Sequence, residues 1–217
     1  MKNLILQHFS VEKNLHESKA SLYEKAVGTV QRYASNIQWD YQRETQNYFK
    51  GFDPQWEVFR VLETNEYDDY DRIVFLDADV FIQDVKVNVF EKYNTFSACK
   101  EVDDPLPKSR PEYQKWGNTY FNSGIIIFTR ESIEKLREID PQAYRKQYRN
   151  TIPGRDQYAL NLMTEKVLGD YQMIDRRDAC FLRENEYSQH TPVVHVAGRC
   201  RQIYNSNIPL FDRHFGV

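Results

Sequence analysis

The chain has 217 residues, 41% of them apolar, with 29 basic and 32 acidic side chains and a formal charge of −3 at pH 7. That length suits one generous domain, residues 1–217, with a proper core. The near balance of dispersed charge argues against a nucleic-acid binder. No apolar run is long enough to span a bilayer and no secretory leader stands at the N-terminus, so a soluble, cytoplasmic protein with no membrane span is expected. Cys99, Cys180 and Cys200 are odd in number, widely spaced and without a CxxC pair. Reduced, packed thiols fit them better than a disulfide frame or a zinc site. Fifteen Tyr and thirteen Phe are more than usual, and beyond the core such rings suit surfaces that stack on sugars or bases.

Taken in order, a first strand is expected near Asn3 to Gln7, ending at His8-Phe9-Ser10, where a parallel sheet opens its ligand crevice. Leu22, Ala26, Val27 and Val30 recur at helical spacing within a helix from about Glu17 to Ala34. Ser35 to Asp40 reads as a short second strand, and the polar stretch Tyr41 to Phe52 as a loop. Asp53-Pro54 fits an N-cap and first turn, leading into a helix packed through Trp56, Phe59, Val61 and Leu62 with Arg60 off that side. An acidic run, Glu66 to Asp71, precedes a buried strand, so the first third reads β-α-β-α-β, as in an α/β sheet with right-handed crossovers.

That strand, Ile73 to Ile82, is apolar except for Asp77 and Asp79. In an extended chain residues i and i+2 point the same way, so both carboxylates are expected at one spot. Like charges buried together cost several kcal/mol unless something of opposite sign joins them. A divalent cation with oxygen ligands at the strand ends resolves this. A helix cap beside a solvated Asp is the plainer alternative.

Beyond it, a short helix is expected from Val85 to Tyr93 and a strand at Thr95 to Cys99. The stretch Lys100 to Tyr120 carries Pro105, Pro107 and Pro111 and reads as a long loop. Phe121-Asn122-Ser123-Gly124 leads into the buried strand Ile125 to Phe128, and helices follow at Ser132 to Ile139, Gln142 to Tyr148 and Asp156 to Val167. Tyr171 to Ile174 and Val193 to Val196 read as short strands, with an irregular aromatic tail from Gln202. Asn122 and Ser123 offer donors and acceptors beside a glycine that permits close backbone approach, although taken alone a turn before a strand accounts for them better. Asp156 and Gln157 open a helix, where an Asp either caps or faces the crevice. His195-Val196-Ala197-Gly198-Arg199-Cys200-Arg201 places an imidazole at a strand end before a glycine and two guanidinium groups, which fits a metal ligand followed by a phosphate-binding loop. A P-loop and a GxGxxG motif are both missing.

Together Tyr70 to Asp79, Phe121 to Gly124, Asp156-Gln157 and His195 to Arg201 resemble, in order, the motifs of nucleotide-sugar glycosyltransferases of the GT-A fold. The match is nearest the glycogenin and galactosyltransferase group, glycosyltransferase family 8. The resemblance implies a Rossmann-like α/β fold with a mixed, mostly parallel central sheet flanked by helices. It implies Asp77, Asp79 and His195 as ligands of Mn²⁺, with Mg²⁺ the alternative, on the diphosphate of a UDP-sugar. His8, Phe9 and Ser10 would receive the nucleoside. Gly198 and Arg201 would hold phosphate, and Arg199 or Arg201 would add positive charge to the leaving group. Arg60 resembles the basic residue on the helix before the aspartate motif, and Asp77 and Ala78 would join the donor site. Asn122, Ser123, Asp156 and Gln157 would face the donor sugar and the acceptor. The reaction implied is transfer of a hexose or deoxyhexose to a hydroxyl of a glycan or glycoprotein, with retention. Arg201 stands where the family usually has lysine, which keeps the charge and changes the geometry. The chain is short for the family and in compactness is similar to the minimal glycosyltransferase domains of large algal viruses. One module of a longer polypeptide is the other arrangement its brevity suits. Two further functions compete: a haloacid dehalogenase-type sugar phosphatase with Asp77 as nucleophile, and a module that binds nucleotide or glycan without turnover.

Overall fold

The computed structural model describes residues 1–9, 17–83, 86–101, 116, 119–150, 155–169, 171–182 and 191–197. Six strands form the main sheet: β1 (Asn3–His8), β2 (Asp40–Glu44), β3 (Arg72–Asp77), β5 (Ser97–Lys100), β6 (Phe121–Thr129) and β7 (Gln172–Met173). Their order is β2-β1-β3-β6-β5-β7, and β6 alone runs against the other five. A second sheet of three strands, β4 (Val80–Ile82), β9 (Val193–His195) and β8 (Ala179–Phe181), is ordered β4-β9-β8. The expected mixed, mostly parallel sheet is therefore what forms.

The apolar runs of β1, β3 and β6 are buried on both faces, which is why they read as continuous rather than alternating. Leu4, Leu6, Ile73, Phe75, Ile126 and Phe128 pack on one face. That face is covered by a 3₁₀ turn (Pro54–Phe59), α2 (Arg60–Glu63), α3 (Arg130–Arg137) and α5 (Arg155–Val167), whose Trp56, Val61, Ile133, Leu160 and Met163 enter the same cluster. Ile5, Val74, Leu76, Ile125 and Ile127 pack on the other, against Val30, Tyr33 and Ala34 of α1 (Glu17–Ile37) and the second sheet's Val80, Ile82 and Val193. The second sheet is tied to α1 by the Ile82 N–H, which donates to Thr29 Oγ1 at 3.0 Å in the interior. Helix α4 (Pro141–Tyr148) turns its Arg145 inward to a two-pronged pair with Glu63, both bonds 2.7 Å, with Phe49 against the guanidinium.

Several local expectations shift. Helix α1 runs to Ile37, so Ser35–Ile37 are helical and the second strand begins at Asp40. The stop is a left-handed residue, Gln38 at φ 57°, with Trp39 N–H bonded to Ala34 O and Gln38 N–H to Ser35 O, a Schellman closure. Strand β2 thus runs from Asp40 into the polar stretch expected as a loop; it is an edge strand, half exposed, and so lacks an apolar signature. No helix forms at 86–93, where the chain is a series of turns that buries Val89, Phe90 and Tyr93. Strand β8 is unexpected: Ala179-Cys180-Phe181 is too short for a period and lacks the β-branched pair that marks the equally short β9. The stretch Ile73 to Ile82 is two strands in two sheets, broken by a turn at Ala78-Asp79. The aspartates thus do not share a face through strand alternation.

A non-glycine residue in the left-handed region costs about 1 kcal/mol. Gln38→Gly is expected to stabilise the protein by about that amount, read as a higher urea midpoint at unchanged slope.

Candidate metal centre

Asp77 is the last residue of β3, in register with His8 of β1, and Gln7 Nε2 donates to its carbonyl at 3.1 Å. Two residues on, Asp79 lies in the turn that carries the chain into the second sheet. There the Val196 N–H donates to Asp79 O at 2.9 Å, and Val80 is in register with His195. Strand β9 is thereby held against that turn, and His195 faces both acids. Its Nε2 is 3.0 Å from Asp79 Oδ1 and 3.5 Å from Asp77 Oδ2. The side chains of His195 and Asp79 are 2% exposed and that of Asp77 is 41% exposed, so the cluster is closed on the protein side and open at Asp77. Burial works against a charged imidazole, but the charge of Asp79 and hydrogen bonds to both acids outweigh it, and the His195 pKa is pushed up to about 9.

The donor set fits a divalent ion: two carboxylates and an imidazole, each offering one atom, all within 4.8 Å of one another. Ligands at right angles around an ion held at about 2.1 Å stand about 3 Å apart, close to the spacing seen. Gly124 makes room for this. A Cβ there would lie 2.1 Å from His195 Cε1 and 2.6 Å from Asp77 Oδ2. The imidazole's Nδ1 is buried without a hydrogen-bond partner, on the side of that missing side chain. Glycine is required here for close approach, not for backbone conformation.

Next to the cluster lies a polar network between the start of β6 and the first turns of α5. Ser123 Oγ donates to Asp156 Oδ2 at 2.6 Å, and Asn122 Oδ1 accepts from the Gly124 N–H at 2.8 Å. Asn122 Nδ2 reaches Gln157 Oε1 at 3.0 Å. Asp156 is buried, and burial together with the charge of Asp77 outweighs the Ser123 bond, so its pKa is pushed up to about 7. Two members had not been singled out from sequence. Glu101, just past β5, accepts from both Asn122 and Gln157. Asn161, 1% exposed, pairs its side-chain amide with both backbone groups of Phe121 and donates to Gln157 O, which sets the helix against the strand. Asn161 stands one turn after Gln157 on the same side of the helix, and that i, i+4 spacing was the available signal.

The remaining expected site residues divide. His8 ends β1 with Nε2 buried and unpartnered, and burial holds its imidazole below the usual value. Phe9 is buried edge-on to Tyr23 with the Arg43 guanidinium 5.0 Å over its ring. Arg60 is paired with Glu44 at 2.8 Å and with Glu66, between the rings of Tyr48 and Tyr67. Cys99 and Cys180 are buried free thiols, as expected. Ser10, Gly198, Arg199, Cys200 and Arg201 lie outside the described residues, as do the tail and most of the proline-bearing stretch. Among the described residues no helix is long and apolar enough to cross a membrane.

Comparison with protein-family models finds no match, and comparison with curated proteins finds none either. Solved structures do match. A glycosyltransferase involved in glycosylation of the major capsid of PBCV-1 superposes with a TM-score of 0.68 over 97% of this chain and 100% of that one, at 14% identity. The galactosyltransferase LgtC, solved with donor and acceptor sugar analogues, gives 0.54 over 99% and 95%, also at 14% identity. The glycosyltransferase GlyE of Streptococcus pneumoniae gives 0.57 at 12% identity, with 95% of this chain but 60% of that one covered. The chain has the GT-A glycosyltransferase fold over nearly its whole length.

Two outcomes test this geometry. Gly124→Ala is expected to displace His195 or Asp77, lowering stability by about 1–3 kcal/mol and weakening Mn²⁺ binding at least ten-fold, by urea unfolding and metal titration. Asp156 has its folded pKa at about 7, above the 3.8 of a free carboxyl. Its favourable contribution is therefore complete below about pH 4 and lost as pH rises through 7. Asp156→Asn is expected to exceed the wild type in thermal stability by a wide margin at pH 8.5 and a narrow one at pH 5.

Proposed function

We propose that this chain is a metal-dependent glycosyltransferase that moves a hexose or deoxyhexose from a UDP-sugar to a hydroxyl of a glycan or glycoprotein. The observation that carries the proposal is the convergence of Asp77, Asp79 and His195 at one spot within a GT-A fold. Such a set suits Mn²⁺ or Mg²⁺, and when bound the ion supplies positive charge that stabilises a departing diphosphate. The three side chains hold it; the open edge at Asp77 leaves the approach for phosphate oxygens. Gly198, Arg199 and Arg201 follow His195 in sequence and are assigned to the same phosphates. Asn122, Ser123 and Gln157 offer fixed donors and acceptors to sugar hydroxyls beside them. The bond from the anomeric carbon to the diphosphate oxygen breaks, and one to the acceptor oxygen forms.

On a retaining route the leaving phosphate oxygen takes the acceptor's proton, and the protein supplies positioning and charge. We favour this route on the resemblance to family 8. On an inverting route Asp156 takes that proton. The phosphatase alternative has the geometry against it. In that reading the run Ile125 to Thr129 would supply a later motif, yet Thr129 caps α3 and is in register with Arg72, five residues and about 17 Å along β3 from Asp77. A binding module without turnover differs only in the assay.

Asp79→Ala is expected to abolish Mn²⁺-dependent binding of UDP-sugar by calorimetry while the fold persists, and His195→Ala to weaken it less, because water replaces one neutral ligand. A thermal-shift panel of UDP-sugars with and without Mn²⁺ identifies the donor, and the anomeric configuration of its product distinguishes the two routes. Affinity unchanged in Asp79→Ala would overturn the metal assignment.

A further inference from the structure

We propose that Glu101 is a positioning residue that fixes the polarity of the Asn122–Gln157 pair, the two amides our functional reading assigns to the sugar. The amides are ambiguous by themselves, since either end of each can face the other. Glu101 removes the ambiguity. One of its oxygens, Oε2, accepts from Asn122 Nδ2 at 3.1 Å and from Gln157 Nε2 at 2.9 Å. A carboxylate is acceptor-only, so both NH₂ groups must turn to it, and reversing either amide would set two oxygens face to face.

The remaining bonds then follow. Asn122 Nδ2 gives its second hydrogen to Gln157 Oε1 at 3.0 Å, closing a triangle of three side chains. Asn122 Oδ1 is left to accept from Gly124 N–H at 2.8 Å, and Gln157 Oε1 lies 3.4 Å from the Ser123 N. The backbone that clears space for His195 is therefore tied to the same triangle. Charge-assisted bonds are stronger than neutral ones, so the carboxylate is the strongest acceptor the amides have.

The fold delivers Glu101 by a register break. Ser97 and Ala98 of β5 pair with Ile127 and Ile126, which continued would set Lys100 opposite Gly124; Lys100 instead pairs with Phe121. The Glu101 N–H then donates to Tyr120 O at 2.9 Å. Irregularities of this kind re-aim a side chain, and here one turns a strand-end carboxylate onto the two amides.

Because a single oxygen accepts both bonds, glutamine retains it and alanine does not. The side-chain amide resonances of Asn122 and Gln157, assigned with Asn122→Asp and Gln157→Glu, report on the triangle directly. In the wild type and Glu101→Gln they are expected away from free-amide positions and slow to exchange with solvent; in Glu101→Ala those of Gln157 are expected to collapse to free-amide positions and those of Asn122, which keeps its bonds to Gln157 and Gly124, to move part of the way. Mn²⁺ affinity should change less than two-fold in both variants. By calorimetry with Mn²⁺, the added affinity of UDP-glucose or UDP-galactose over UDP should fall at least ten-fold in Glu101→Ala and be rescued in Glu101→Gln. Resonances unmoved in Glu101→Ala overturn the proposal, as does equal disruption by both variants, which would make the charge or the other oxygen the active feature. If no nucleotide binds the wild type, the functional reading fails and the resonances still decide the role of Glu101.

Discussion

Two carboxylates share one imidazole at the junction of two sheets, and the surrounding structure is arranged to make that contact tolerable. Asp79 and His195 are nearly out of solvent, where an unpaired charge would cost several kcal/mol. Their mutual pairing, 3.0 Å apart, compensates within the protein and drives the His195 pKa upward. Asp77 adds a second negative charge at the rim, 3.5 Å from the same nitrogen. An acid pair facing one base is a poor stabilising device by itself and a good ligand set for a dication. That asymmetry is the strongest physical argument for a metal here.

The cluster draws on four separate parts of the chain. Strand β3 delivers Asp77, the turn after it delivers Asp79, β9 arrives antiparallel to β4 with His195, and β6 contributes an absence, the side chain Gly124 lacks. The antiparallel β6 matters most for the geometry. Its reversed direction brings Asn122, Ser123 and Gly124 alongside the end of β3 at which Asp77 lies, so the glycine meets Asp77 and His195 while its two predecessors meet α5. Asn161 then binds both backbone groups of Phe121, fixing how far along the strand Asp156 and Gln157 can sit. Two polar groups differing in charge state thereby stand side by side: a triangle of amides and carboxylate, and an Asp whose pKa is pushed up to about 7.

Much of this was legible in the residues themselves. The continuous apolar runs of β1, β3 and β6 announced strands buried on both faces, because a strand covered on both sides has no polar alternation to show. The spacing of Leu22, Ala26 and Val30 announced α1. The acids in an apolar stretch, together with His195 far along the chain, marked out a candidate cation site, since carboxylates buried together are costly without a positive partner. Edge strand β2 and the short β8 were not legible: the first is half exposed and the second too short for any period.

The sequence by itself determined which residues are candidates for the chemistry, through residue type and the cost of burying it. Tertiary structure decided how they meet. Asp77 and Asp79 were expected to converge by alternation along one strand, and they converge instead because a turn sends the chain into a second sheet whose strand β9 brings His195 back to both. Glu101 and Asn161 likewise gain their roles only from the register of β5 against β6 and of α5 against Phe121. Such contacts depend on register and strand direction between segments distant in sequence, whereas composition and periodicity report only on a residue's immediate neighbourhood along the chain.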